Sequence, residues 1–141
     1  CYTCADGKFL AVGALEPQFY AILLDKLDLP AEYAATQNDT ATWPARTTEF
    51  AAIFATRSRD DWAAHFDGSD ACVAPVLRFS EAPDHPQMAA RGNVLRVDGV
   101  LQSGHAPRFG KGAPKMPSPP RAIGADTDAV LKELGVTLDR A

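Results

Sequence analysis

Among the residues that could do chemistry, Glu16 stands in the most unusual setting, within Ala11-Val12-Gly13-Ala14-Leu15-Glu16-Pro17-Gln18-Phe19-Tyr20. It interrupts apolar sequence at the point where a strand-like run gives way to a helical one. Strand ends that lead into helices are places where binding and catalytic groups gather. A carboxylate walled by apolar side chains has its charged form disfavoured unless a cation faces it, and no partner for it can be named within this chain. The other reading is a solvated glutamate favoured by the positive end of a helix. Local sequence leaves both open.

The remaining reactive groups read as structural. The chain has neither a Gly-x-Ser-x-Gly nucleophile elbow nor a Gly-rich run closing on Lys-Ser or Lys-Thr. His65, His85 and His105 share no local motif, and nothing in the sequence orients any of them as an acid or base. Cys72, in Ala-Cys-Val-Ala, has no basic neighbour to stabilise a thiolate and reads as a packed core thiol. Cys1 and Cys4 have zinc-ligand spacing, but no second Cys or His pair completes four ligands, so no metal is expected. An odd count of 3 cysteines fits reduced thiols in a cytosolic protein. The charged run Arg57 to Asp61 reads as a solvated helix start, and Gly110-Lys111-Gly112 as a linker.

The elements that must position Glu16 follow from periodicity. Residues 2 to 13 read as a hairpin, two short apolar strands around an Asp6-Gly7 turn. Pro17 suits the first turn of a helix, and Phe19, Ile22, Leu23 and Leu27 follow at helical spacing until Leu29-Pro30. Residues 31 to 42 are polar and Ala-rich, with a turn at Asn38-Asp39. A second helix is expected from about Pro44 to Ala55. A third starts at Ser58, an N-cap paired with Asp61, and buries Trp62 and Phe66. Phe19, Leu23, Leu27, Phe50, Phe54, Trp62 and Phe66 form the expected core.

Ala71 to Leu77 is strand-like, and Pro75 assigns it to a sheet edge or a strand end. Residues 80 to 90 read as helical turns broken at Pro83 and Pro86. A second hairpin flanks Asp98-Gly99, and a last helix runs from about Thr127 to Leu134, ending at Gly135. The absence of strand–helix alternation predicts an α+β fold, a small antiparallel sheet with flanking helices and an extended Pro/Gly-rich C-terminal arm. Residues 1–102 are assigned to the α+β domain, and 103–141 to the arm and C-terminal helix.

Composition sets the outer limits. At 141 residues, 46% hydrophobic and 23% charged, the chain suits one globular domain. Fourteen basic against eighteen acidic residues give a net charge of −4. That disfavours general nucleic-acid binding, although Arg108, Lys111 and Lys115 remain locally available to a phosphate. No apolar run approaches bilayer length, so no membrane partner is expected. The chain opens at Cys1, directly in strand-like sequence, and reads as a piece of something longer.

The order of motifs carries a resemblance. Tyr2 to Lys8 followed by Ala11 to Tyr20 resembles the opening of the small domain of the alpha-methylacyl-CoA racemase branch of the family III CoA-transferase superfamily. The resemblance continues through Thr56 to Trp62, Asp70 to Val76, and His85-Pro86-Gln87 to Ala90-Arg91-Gly92. Ala106-Pro107-Arg108-Phe109 and the tail from Ile123-Gly124 to Gly135 extend it, although Asp126 stands where the family often has His.

This resemblance implies an isomerase. A thioester makes the hydrogen on C2 of the acyl group removable through an enolate, and racemisation needs one group to take the proton and another to return one. In the racemases that pair is a His and an Asp of the large domain, and a small-domain glutamate at the position of Glu16 approaches the His. The implied partners are an acyl-CoA thioester as substrate, with no cofactor or metal, the large domain, and a second subunit in a cytoplasmic homodimer. The piece alone is expected to be inactive. A CoA-transferase small domain and a non-catalytic dimerisation module of the same fold stand as alternatives.

Overall fold

A computed structural model describes residues 1–108, 110 and 115–137. The chain forms two compact units, Cys1–Arg78 and Phe79–Ala141. Together they hold helices and two small antiparallel sheets, the expected α+β class.

In the first unit, β1 (Tyr2–Thr3), β2 (Phe9–Val12) and β3 (Val73–Pro75) make an antiparallel sheet in the order β1-β2-β3. The β1–β2 hairpin turns at Ala5-Asp6, with Gly7 at φ 73° and its N–H on the Cys4 carbonyl at 2.9 Å. Such a turn needs a residue that tolerates positive φ, which Gly does at no steric cost. Helix α2 (Trp43–Phe54) packs on β1 and α3 (Arg59–Phe66) on β2 and β3, while α1 (Pro17–Lys26) joins them through the shared core. A 3-10 helix, Ala31–Thr36, follows α1 in the polar, Ala-rich stretch.

The core of this unit is the one the helical spacing predicts, with additions. Leu23, Leu27, Phe50, Phe54, Trp62 and Phe66 are buried, and Phe19 packs against them half-buried. Leu10, Leu24, Tyr20, Cys4, Ala14 and Ala71 complete the cluster. Phe54, wholly buried, stacks on Tyr2 at 5.1 Å and meets Trp62 edge-on at 5.3 Å. The Trp62 indole N–H donates to the Phe54 carbonyl at 2.9 Å, which satisfies the buried donor.

Helix ends follow local chemistry. Ser58 caps α3, its hydroxyl accepting from the Asp61 N–H at 3.1 Å. Asp6, on the hairpin turn, reaches the same helix end and accepts from the Arg59 N–H at 3.3 Å. Desolvation pushes the Asp6 carboxyl up, but hydrogen bonds from the Arg59 and Lys8 backbone and the Lys8 ammonium outweigh it and hold it below the ordinary aspartate value. Helix α1 ends where Asp28 turns to φ 54°, with Leu29 N–H on the Leu24 carbonyl and Asp28 N–H on that of Asp25. That is the paired-carbonyl closure of a helix C-terminus, built on an aspartate instead of the usual glycine.

Two expectations are corrected here. Arg59 is not a solvated helix-start residue but only 4% exposed. Its guanidinium lies along Asp60 (Nε to Oδ1, 2.8 Å) and donates to the Val76 carbonyl at 3.0 Å, so α3 is tied to the end of β3. The packed thiol is Cys4, not Cys72, which is exposed. Cys72 sits at φ 53° in the bend before β3, a conformation that gives the inward position to its neighbour Ala71, fully buried. Burial, aided by the nearby Asp6 charge and opposed by Arg59, pushes the Cys4 thiol up and leaves it inert.

In the second unit, a short 3-10 turn (Ala82–Asp84) precedes α4 (Pro86–Ala90). The hairpin of β4 (Val94–Val97) and β5 (Val100–Ser103) turns at Asp98 (φ 48°) and Gly99 (φ 79°). Two successive positive φ values define the mirror-image turn that an Asp-Gly step favours. The ladder runs one step further, with the Gly104 N–H on the Asn93 carbonyl at 2.8 Å. Helix α5 (Thr127–Leu134) closes on Gly135, and Val136 N–H reaches back to the Leu131 carbonyl at 2.9 Å. Among the described residues, no helix is long and apolar enough to cross a membrane.

Candidate functional site at the β2–α1 junction

Glu16 stands between β2 and α1, and the local backbone is closely determined. Beyond Val12, Gly13 N–H bonds the Cys72 carbonyl at 2.9 Å, extending the pairing towards β3 by one residue. The Leu15 N–H then closes a tight turn on the Gly13 carbonyl at 2.8 Å. Glu16 is the N-cap of α1, at φ −76° and ψ 142°, with Pro17 as first helical residue. Its carbonyl accepts from Phe19 and Tyr20 at 3.1 and 3.0 Å, which starts the helix.

The Glu16 side chain does not serve that helix. It is exposed and makes no capping hydrogen bond. Ser, Thr, Asp and Asn cap well because a short side chain folds back onto the first turn, and the longer glutamate projects past it. Leu15 beside it is 81% exposed. Of the two settings the sequence leaves open, the carboxylate has the solvated one, while Ala14 and Tyr20 nearby are buried.

Next to this junction opens a cavity of about 300 Å³, lined by Tyr2, Ala14, Leu15, Tyr20, Phe50 and, on its polar side, Gln37, Arg46 and Thr47. Burial pushes the Tyr2 phenol up, against a hydrogen bond from Thr47, and likewise the Tyr20 phenol, against the Arg46 charge. Both tyrosines therefore present neutral hydroxyls at physiological pH. The Arg46 guanidinium lies 2.9 Å from the centre of the Tyr33 ring and donates to Glu49 at 3.1 Å. Among the described residues, its buried Nε has no hydrogen-bond partner.

The far wall of the cavity reaches back to the junction. The Gln37 amide donates to the Leu15 carbonyl at 2.8 Å and to that of Ala14 at 3.4 Å. The main-chain carbonyl of Gln37 in turn accepts from the Trp43 indole N–H at 2.9 Å. Sequence reasoning found neither Gln37 nor Arg46, because both belong to a segment that reads as polar turn and helix start, and only the tertiary fold brings them to the cavity beside Ala14 and Leu15.

The histidines are held as structural groups. The His65 ring is bonded to the Lys26 carbonyl at 2.7 Å and meets Trp62 and Phe66 edge-on. The His105 ring is bonded to the Lys115 carbonyl at 2.6 Å, and His85 is the N-cap of α4 without a capping side chain. Of the local basic groups, Arg108 donates to the Asn93 side chain at 3.4 Å. Lys111 and Gly112, like Phe109 of the resemblance, lie outside the described residues.

Comparison with known proteins gives the family. Residues 1–127 match the model of CoA-transferase family III, and the chain belongs to that family. It is 41% identical over 136 residues to the alpha-methylacyl-CoA racemase of Mus musculus and 38% identical over 136 residues to that of Homo sapiens. Each alignment covers 95% of this chain and 36% of the relative, so the chain spans little more than a third of the length of these racemases. A CaiB/baiF CoA-transferase family protein of Caenorhabditis elegans is 32% identical over 108 residues, 76% of this chain and 30% of its own.

Proposed function

We propose that this chain is the small-domain part of a 2-methylacyl-CoA racemase and that Glu16 is its contribution to the active site. The observation that carries the reading is the disengaged carboxylate: Glu16 occupies a cap position yet bonds nothing there, in a chain 38–41% identical to racemases. In the proposed reaction a base supplied by the rest of the protein removes the proton from C2 of the acyl-CoA. The electron pair of that C–H bond moves onto the thioester oxygen as an enolate, and an acid on the opposite face returns a proton to C2. Glu16 would face the histidine of that pair, favour its charged form and fix its orientation.

The partners follow from the same reading: an acyl-CoA thioester, the large domain, and a second subunit in a homodimer, with no metal or cofactor needed for the proton transfers. The free cysteines agree with a cytoplasmic site. A CoA-transferase is the second reading, favoured by the likeness to the CaiB/baiF protein.

The test is Glu16→Gln in the full-length protein, which removes the charge and keeps the shape. A hydrogen bond to a charged partner is worth about 1.5–3 kcal/mol, so racemisation should slow by roughly ten- to a hundredfold, with CoA affinity and melting temperature nearly unchanged. An unchanged rate would return Glu16 to the solvated surface, and a melting temperature that fell with the rate would make it structural. The isolated chain should not exchange the C2 hydrogen of a 2-methylacyl-CoA with solvent deuterium, since on this reading the base that removes that proton belongs to the rest of the protein. Exchange above the buffer rate that disappeared in Glu16→Gln would show that the large domain is dispensable.

A further inference from the structure

We infer that Gln37 is a positioning residue for Glu16, holding the Leu15–Glu16 peptide so that the carboxylate leaves the backbone in one direction. The inference rests on the role proposed above for Glu16 and names how that role is supported.

A side chain's direction is set where its Cα joins two planar peptide units. At Glu16 both planes are pinned. On the C-terminal side, its carbonyl takes the N–H groups of Phe19 and Tyr20, at 3.1 and 3.0 Å. On the N-terminal side, the plane contains the Leu15 carbonyl, and that oxygen is held by the Gln37 amide at 2.8 Å. The same amide nitrogen reaches the Ala14 carbonyl at 3.4 Å, so two consecutive peptides before the glutamate share one donor group. Both partners are carbonyl oxygens, so only the NH2 end of the amide can face them.

The grip is itself anchored. Gln37 lies 22 residues from Leu15 in sequence, just beyond the 3-10 helix. Its main-chain carbonyl accepts from the Trp43 indole N–H at 2.9 Å, and the Thr42 hydroxyl donates to the Thr36 carbonyl at 3.3 Å. Trp43 opens α2, whose Phe50 and Phe54 are buried in the core. The direction of the Cα–Cβ bond of Glu16 is thus referred, through Gln37 and Trp43, to the rigid part of the unit. A side chain whose root is fixed before substrate arrives has fewer arrangements to give up on reaching its reactive geometry. An exposed glutamate used only for solubility has no need of such a brace.

The experiment is a double-mutant cycle in the full-length protein, with kcat, KM and melting temperature measured for Gln37→Met, Glu16→Gln and the pair. Methionine keeps the length of glutamine and removes its donors. Gln37→Met should lower kcat for racemisation roughly two- to tenfold with KM nearly unchanged. In the Glu16→Gln background it should cost little further, because groups acting as one unit are not additive. A loss of the same factor in both backgrounds, or no loss in the native one, overturns the inference while leaving Glu16 in its role. If Glu16→Gln alone leaves kcat unchanged, the role of Glu16 fails, and the positioning of it fails too. Should Gln37→Met melt before assay, Trp43→Phe, which removes only the indole donor behind Gln37, must show the same coupling to Glu16→Gln, and independence there overturns the inference equally.

Discussion

Phe54→Ala is expected to cost about 3–5 kcal/mol of stability, a large part of the 5–15 kcal/mol that holds a typical domain. The ring is wholly buried. It touches Tyr2 of β1, Trp62 and Phe66 of α3, with centroids at 5.1, 5.3 and 6.4 Å. Truncation therefore opens a hole where sheet and two helices meet, and no single neighbour can move to fill it without leaving another contact. The Phe54 carbonyl still takes the Trp62 indole N–H, so the loss is one of packing and not of hydrogen bonding. Urea unfolding followed by the fluorescence of Trp43 and Trp62 together measures it. A midpoint shift worth under about 1 kcal/mol would show that the site collapses freely.

Gly104→Val should undo the β4–β5 hairpin. A Cβ at position 104 would fall inside van der Waals contact with the Gly92 carbonyl oxygen, and within 3.1 Å of the Gly92 carbonyl carbon and 3.3 Å of that of Asn93. All three atoms are backbone. They are fixed by the Gly104–Asn93 bond itself and by the Asn93 N–H on the Met88 carbonyl, so no flexible side chain can swing aside. Overpacking by a methylene or so costs about 1–3 kcal/mol, and a β-branched side chain against backbone should reach the upper end or pass it. Amide hydrogen exchange over residues 94–103 reads the effect, as faster exchange confined to this ladder. Unchanged protection there would mean the 92–93 backbone yields easily.

What the sequence disclosed was whatever depends on neighbours along the chain. The Asp98-Gly99 turn, the Ser58 cap and the Gly135 closure are each decided within a few residues, and each is found where its local chemistry puts it. The buried stripes of α1, α2 and α3 follow from spacing in the same way. Arg59 and Cys72 show the limit. Arg59 reads as solvated because its partners Asp6 and Val76 are 53 and 17 residues away, and the outward turn of Cys72 comes from a positive φ that no Cys predicts. The candidate site divides the same way. Glu16 is conspicuous in the sequence, whereas Gln37 reads as one more polar residue before a turn, and its meaning lies in a contact with Leu15 that only folding creates.

Pro75 bears on how the unit behaves among its own copies. Val76 N–H points into the sheet, on the Phe9 carbonyl at 2.9 Å, so the alternating ladder turns the nitrogen of Pro75 outward. A newcomer strand arriving at the free side of β3 would find no donor at that position, and at the opposite border it would find β1, two residues long. Neither rim offers the uninterrupted row of amides that templates edge-to-edge growth. High concentrations of the chain should therefore meet no intrinsic route to fibril formation through this sheet, and replacing Pro75 by a β-former such as valine would open one.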